Sequence, residues 1–238
     1  MRFDIITIFP EAFASYLNAS ILKRAKDRRL IDVHIHNLRD FAAGKHKSGA
    51  LRQAQGNREP RRTIDAPPYG GGPGMVFKLE PLAKAFLSLK AKPKNTHVIL
   101  FHASGKQFNQ KMAGEWSKKY KRLIMIAGHY EGVDERIFKV LQATGYRLQA
   151  ISVGPYVLTG GELPAMIVID AVSRHVPGVL GKAESLEEKR YGVGVPVYTR
   201  PEIFTVRGKK YRVPKILLSG DHEKIEEWRR RHGPKPRH

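Results

Sequence analysis

The sequence predicts an α/β domain built on a mostly parallel sheet. Short runs of β-branched and aromatic residues alternate along the chain with segments of helical periodicity. That order, strand then helix then strand, asks for crossover connections and hence parallel pairing. Three of the runs also end in glycine-containing polar loops, after Phe101, Ala127 and Val153. Ligands of such sheets bind beyond the carboxyl ends of the strands.

Each element follows from its residues. Residues 2–9 (RFDIITIF) read as a buried strand closed by Pro10. From Glu11 to about Arg29 the pattern is helical, in two pieces around Asn18. Residues 31–36 (IDVHIH) alternate, so a second strand is expected, with His34 and His36 facing solvent rather than forming a metal pair. Residues 42–74 are the longest irregular stretch, first basic and polar, then glycine-rich. That first part is either a solvated loop or a phosphate-binding arm.

Helices are expected over 80–90, 105–120, 134–145 and 162–174, and strands over 96–101, 122–127 and 146–154. Pro81 is tolerated in a first turn. The helix from Glu162 to about Arg174 is apolar enough to be buried. Residues 181–196 are polar and glycine-rich and read as a linker, leaving a main domain over 1–180 and a small basic, mainly helical module over 197–238. Ser219 to Glu223 announce its last helix, which carries Trp228, Arg229, Arg230 and Arg231. About forty residues need docking or a partner to be stable.

The 238 residues suffice for a hydrophobic core, and 43 Lys+Arg against 22 Asp+Glu leave a net charge of +21. The isoelectric point is about 10.2, which points to a polyanionic partner such as RNA or DNA. No apolar run approaches the ~18 residues a membrane span needs. The N-terminus lacks a signal-peptide pattern. A cytoplasmic protein away from membranes is therefore expected. The absence of cysteine excludes disulfides, cysteine zinc sites and thiol nucleophiles. No His/Asp/Glu cluster reads as a metal site.

Three motifs stand out. YGGGPGM (Tyr69–Met75) lacks both the GK[ST] ending of a P-loop and the strand that precedes a dinucleotide fingerprint. Its glycines serve close backbone approach or a flexible turn. GHYEGVDER (Gly128–Arg136) follows a strand and opens a helix, with its acids placed to favour the helix dipole. SVGPYVLTGGELP (Ser152–Pro164) offers peptide groups and an apolar wall of Tyr156, Val157 and Leu158, which suits an adenine ring better than a triphosphate.

Together with IDAVSRHVPGVLG, YTRP and LLSGDHEKIEEWR, these motifs resemble the bacterial tRNA (guanine-N1)-methyltransferases that modify guanosine 37, the TrmD family of the SPOUT superfamily. The resemblance covers most of the chain. It implies a methyltransferase domain with a C-terminal trefoil knot, an exception to ordinary connection rules. It further implies a homodimer with sites shared between subunits, S-adenosylmethionine as methyl donor, and tRNA rather than DNA as partner. The acceptor would be N1 of guanosine 37 preceded by guanosine 36, the product limiting frameshifting. A magnesium ion is compatible with the family, held by the cofactor carboxylate or RNA with few protein ligands.

Carried over residue by residue, the resemblance assigns the cofactor to three segments. They contribute Leu100, His102 and Ser104; then Gly128, Tyr130, Glu131 and Gly132; then Ser152, Val153, Gly154, Pro155, Tyr156, Val157, Leu158, Gly160 and Gly161. Arg174 matches the family's catalytic arginine, a strong donor to guanine O6 as charge develops there. Asp65 matches an acidic position that positions or polarises the base.

The chain departs from the family pattern in several places. Lys189 stands where the family has its aspartate base, and lysine is a poor base unless its pKa is strongly lowered. Glu188, or failing it Glu187, is expected to take that role. Residues 48–62 look like an insertion, either an RNA-contacting arm or a tolerated loop. Pro155 replaces an acidic residue after the knot-loop glycine. The chain ends soon after the Trp228 helix, so reduced anticodon-side contacts are expected. A sister enzyme modifying another RNA position and a tRNA-binding protein without catalysis are the competing readings.

Overall fold

The computed structural model describes residues 1–42, 63–181 and 194–233. The 48–62 segment, Glu187, Glu188 and Lys189 lie outside the described residues. The chain divides into two compact units, Met1–Val179 and Leu180–His238.

In the first unit, β1 (Arg2–Thr7) leads through a 3-10 turn into α1 (Ala14–Leu17) and α2 (Ser20–Asp27), then β2 (Asp32–Asn37). A short antiparallel pair follows, β3 (Asp65–Ala66) with β4 (Val76–Phe77). The remaining elements are α3 (Leu79–Ser88), β5 (Thr96–Gln107), α4 (Gln110–Lys119), β6 (Arg122–Ile126), α5 (Arg136–Ala143), β7 (Leu148–Ser152) and α6 (Glu162–Ser173). The main sheet has the order β2-β1-β6-β5-β7, and its pairs are parallel.

Both sheet faces are covered, which explains why its central strands read as continuous apolar runs. In β6, Leu123 and Met125 point to a core shared with α1, α2, α4 and α6, while Ile124 and Ile126 point to a second core under α3 and α5. Each such fully buried side chain is worth about 1.5–3 kcal/mol.

The structure corrects two expectations about the first unit. Residues 105–107 belong to β5, not to the following helix. The chain leaves the ladder after Phe101 and rejoins it at Lys106, both facing Ile151. The helix starts at Gln110, where the Asn109 side chain accepts the Met112 N–H at 3.0 Å. Second, His36 does not simply face water: its Nε2 lies 2.8 Å from Asp4, a fully buried carboxylate that also accepts hydrogen bonds from Arg2 and Arg122. The glycine-rich segment follows only the two-residue antiparallel β3, outside the parallel sheet, so the strand that precedes a dinucleotide fingerprint is absent there, as the sequence suggests.

The second unit is not mainly helical throughout. It carries a hairpin, β8 (Ile203–Val206) with β9 (Lys209–Arg212), before α7 (His222–His232). Asp221 caps α7 by accepting the Lys224 N–H at 3.1 Å. Ile225 is buried, and Trp228 stacks on His232 with ring centres 4.2 Å apart.

Candidate functional site

The carboxyl ends of β5, β6 and β7 open into one cleft with about 200 Å³ of space for water-sized molecules. Of the residues the sequence singles out, Leu100, His102, Gly128, Tyr130, Glu131, Gly132, Ser152, Val153, Tyr156, Val157, Leu158, Gly160 and Gly161 line it. Ser104, Gly154 and Pro155 do not. The Ser104 hydroxyl instead lies 2.7 Å from His102 Nδ1, and the Gly154 carbonyl accepts the Ser152 hydroxyl at 2.8 Å.

Phe101, Ala103, His129, Val133, Glu135, Ile151, Thr159 and Pro164 also line the cleft. Phe101, Ala103, His129 and Thr159 fall inside the three loop segments, but nothing in their residue type marks them as a wall. Glu135 was legible as an acid at a helix start, not as a wall.

A close approach of two loops shapes this cleft. The Gly161 N–H donates to the Gly128 carbonyl at 2.8 Å, and Gly160 bridges His129 in antiparallel fashion. A Cβ on Gly161 would lie 2.6 Å from Ala127 Cα, so only glycine fits. Beneath them Glu162 is buried in the first turn of α6, where negative charge suits the helix dipole. One of its oxygens accepts the Thr7 hydroxyl at 2.7 Å, and the other lies 3.8 Å from His129 Nδ1.

The glycine-rich segment is laced to the same site. Glu131 N–H donates to Met75 at 3.1 Å, Phe77 N–H to Gly132 at 3.0 Å, and Asp134 N–H to Phe77 at 3.0 Å. Gly74 has φ +90°, and a Cβ there would overlap the Glu131 side chain. Tyr130 adopts φ +59°, a strained backbone for a non-glycine residue, and packs edge-on against Phe77 and His129.

Chemically, the cleft combines an exposed aromatic and aliphatic wall (Tyr156, Val157, Leu158) with loop backbone and the exposed carboxylates of Glu131 and Glu135. This suits a flat ring joined to a cationic group. In the adjoining DER sequence, the Arg136 guanidinium donates to Asp134 at 2.6 Å and holds that carboxyl below its ordinary range.

The catalytic candidates are not brought onto the cleft wall. Arg174 caps the C-terminal end of α6 and is half-buried. Asp65 is half-buried in β3, opposite Phe77. Glu188 lies outside the described residues. On the flank of α6, Tyr16 donates its hydroxyl to Asp170, and that bond pushes the phenol up to about 12. Among the described residues, no three His, Asp or Glu side chains gather as a metal site, and no helix is long and apolar enough to cross a membrane.

Comparison with known proteins gives a consistent result. A family model described as tRNA (Guanine-1)-methyltransferase TrmD matches residues 1–236. Proteins named tRNA (guanine-N(1)-)-methyltransferase are similar over 97% of this chain. The one from Dictyoglomus turgidum is 48% identical over 84% of its own length, that from Moorella thermoacetica 46% over 84%, and that from Clostridioides difficile 43% over 91%.

Proposed function

The chain belongs to the tRNA (guanine-1)-methyltransferase family, and we propose that it transfers a methyl group from S-adenosylmethionine to N1 of guanosine 37 in tRNAs with guanosine at 36. The observation that carries this reading is the convergence of three separate loops, those the family resemblance assigns to the cofactor, on one cleft.

The residues present fit that donor. Tyr156 and Leu158 with the neighbouring peptide groups suit its adenine, and Glu131 and Glu135 suit its positive charge. When bound, S-adenosylmethionine supplies an electrophilic methyl group on a cationic sulfur.

The chain's own residues have the remaining tasks. Glu188 takes the N1 proton, acting as a general base in place of the family aspartate. Arg174 donates to O6, where the charge left by that proton gathers. Asp65 holds the base in orientation. The products are N1-methylguanosine, S-adenosylhomocysteine, which leaves with the electron pair of the broken sulfur–methyl bond, and a protonated Glu188, which returns its proton to water.

We assign residues 1–180 to the methyltransferase domain, 181–196 to a linker and 197–238 to tRNA binding. The trefoil knot is part of this reading and rests on membership of the family alone. A second copy of the chain belongs on the outer face of α6, where Leu163 and Ile167 stand exposed one turn apart. Such a homodimer would build each site from both copies. Any magnesium would be held by RNA and cofactor, and the compartment would be the cytoplasm.

Mass spectrometry of a tRNA transcript carrying G36 and G37, after incubation with the protein and S-adenosylmethionine, tests the reading. N1-methylguanosine at 37 is expected. Tight tRNA binding without that product would favour another acceptor site or a binding protein, the outcome that Lys189 keeps in play.

A further inference from the structure

The hairpin of the second unit presents a face that the unit's own packing leaves open. Phe204 stands opposite Tyr211, and Val206 opposite Lys209. Opposed residues share a face, as do alternate residues along a strand. Phe204, Val206, Lys209 and Tyr211 therefore form one surface. Phe204 is 59% exposed and Tyr211 50%. The Lys209 ammonium lies 5.5 Å from the Tyr211 ring centre. Trp228, in contrast, is engaged by His232 and Tyr198.

Charge narrows the choice of occupant. From Ile203 to Pro214 the chain carries Arg207, Lys209, Lys210 and Arg212 and no acid. A second copy would bring the same cations against themselves, which opposes self-association. Exposed aromatic rings among cations match what unpaired nucleic acid offers, base faces joined by phosphates. A duplex hides its base faces in its own stack. The platform is also held in shape: Arg207 and Gly208 have φ of 49° and 72°, the two-residue turn whose twist matches the strands.

We infer that this face is a stacking platform for an unpaired nucleotide of the tRNA, with Phe204 and Tyr211 against the base and Lys209 on a flanking phosphate. This rests on the proposed function and deepens it by naming the residues and the chemistry of contact in the second unit.

The test uses the full chain and tRNA transcripts carrying 2-aminopurine at single anticodon-loop positions. The unaltered protein should quench one loop position. Joint substitution Phe204→Ala and Tyr211→Ala should abolish that quench and weaken binding about ten- to hundredfold, with the salt dependence unchanged. Joint substitution Phe204→Tyr and Tyr211→Phe should restore both. Substitution Lys209→Ala should instead lower the slope of log affinity against log salt by about 1. An unchanged circular dichroism spectrum, with retained S-adenosylmethionine binding, shows that each variant is folded.

Unchanged quench and affinity in the double alanine variant would overturn the platform. So would a change in oligomeric state in that variant, which would assign the face to a second copy. Wild-type quenching without N1-methylguanosine at 37 would sink the proposed function and leave the platform standing. Normal methylation with an alanine variant that binds like wild type would do the reverse.

Discussion

Thr7 and Glu162, 155 positions apart, are joined by a buried 2.7 Å hydrogen bond. It ties the end of β1 to the first turn of α6, directly below the loop that walls the cleft. The Thr7 oxygen also accepts the Phe9 N–H at 2.9 Å. Thr7→Val keeps the shape and removes both roles, leaving a buried carboxylate oxygen and a backbone donor unpaired. The expected cost is about 1–3 kcal/mol of stability, with weaker S-adenosylmethionine binding because the loop over the cleft loses its footing. Urea titration and calorimetry would measure the two effects. Thr7→Ser should behave nearly as wild type, and equal losses in both variants would refute the hydrogen-bond account.

Gly161→Ala should be harsher on binding than on folding. The new methyl group would press on the backbone of Ala127 at 2.6 Å, which cannot rotate aside as a side chain could. Overpacking of this kind costs about 1–3 kcal/mol. Relief requires the loop to lift from Gly128, and that opens the cleft. A fall in melting temperature together with loss of measurable cofactor binding is expected. Unaltered affinity would show that the loop contact does not shape the site.

Much of this site was legible because glycine-rich loops at the ends of parallel strands are a local pattern. The segments around Leu100, Gly128 and Ser152 could be chosen before any contact was known. What binds them together is not local. The lacing of Met75 and Phe77 to the Tyr130 loop joins segments more than fifty residues apart. The Asp4 network draws on Arg2, His36 and Arg122 from three adjacent strands. The excursion of β5 over His102–Gly105 is not legible in the sequence because its glycine and lysine run into a helical pattern. The β8–β9 hairpin was hidden by a single Arg-Gly step among basic residues.

Acid should weaken the fold in two stages. Burial between Trp116 and Tyr120 pushes His97 down to about 4, outweighing a hydrogen bond with Gln149 that raises it, while Lys119 lowers it further. The unfolded imidazole titrates near 6.5, so between pH 6.5 and 4 the unfolded chain takes up a proton that the fold refuses. Stability falls with pH through that window, by about 3 kcal/mol in all. His97→Phe should flatten this first stage.

The second stage belongs to Asp4. Burial alone would raise its pKa, but hydrogen bonds from His36, Arg2 and Arg122 prevail and hold it well below the usual carboxylate range. Its stabilisation is complete above the unfolded value of 3.8 and is lost as pH falls through the lower folded value. Asp4→Asn should cost about 3 kcal/mol at neutral pH, because it strands the paired cations. Urea midpoints from pH 7 to 2 separate the stages: the His97 variant should lose the pH dependence of the upper window, and the Asp4 variant that of the lower, beside its offset at neutral pH.

The last prediction concerns the proton on N1. Lys189 occupies the position where the family resemblance puts an aspartate, and Glu188 is its neighbour in sequence. If Glu188 is the base, Glu188→Ala should lower single-turnover methyl transfer about 10²- to 10⁴-fold, with affinities for tRNA and S-adenosylmethionine little changed. Adding Lys189→Asp to that variant restores a carboxylate one position away, and recovery of rate would show that a carboxylate in this stretch is what the chemistry needs. The pH profile supplies a readout that a structural defect would not move. With a carboxylate base, the rate should lose its acid limb in the alanine variant and regain it in the rescued one. Wild-type turnover by Glu188→Ala would pass the role to Glu187 or to a lysine of lowered pKa, and only the latter would place the acid limb near neutrality.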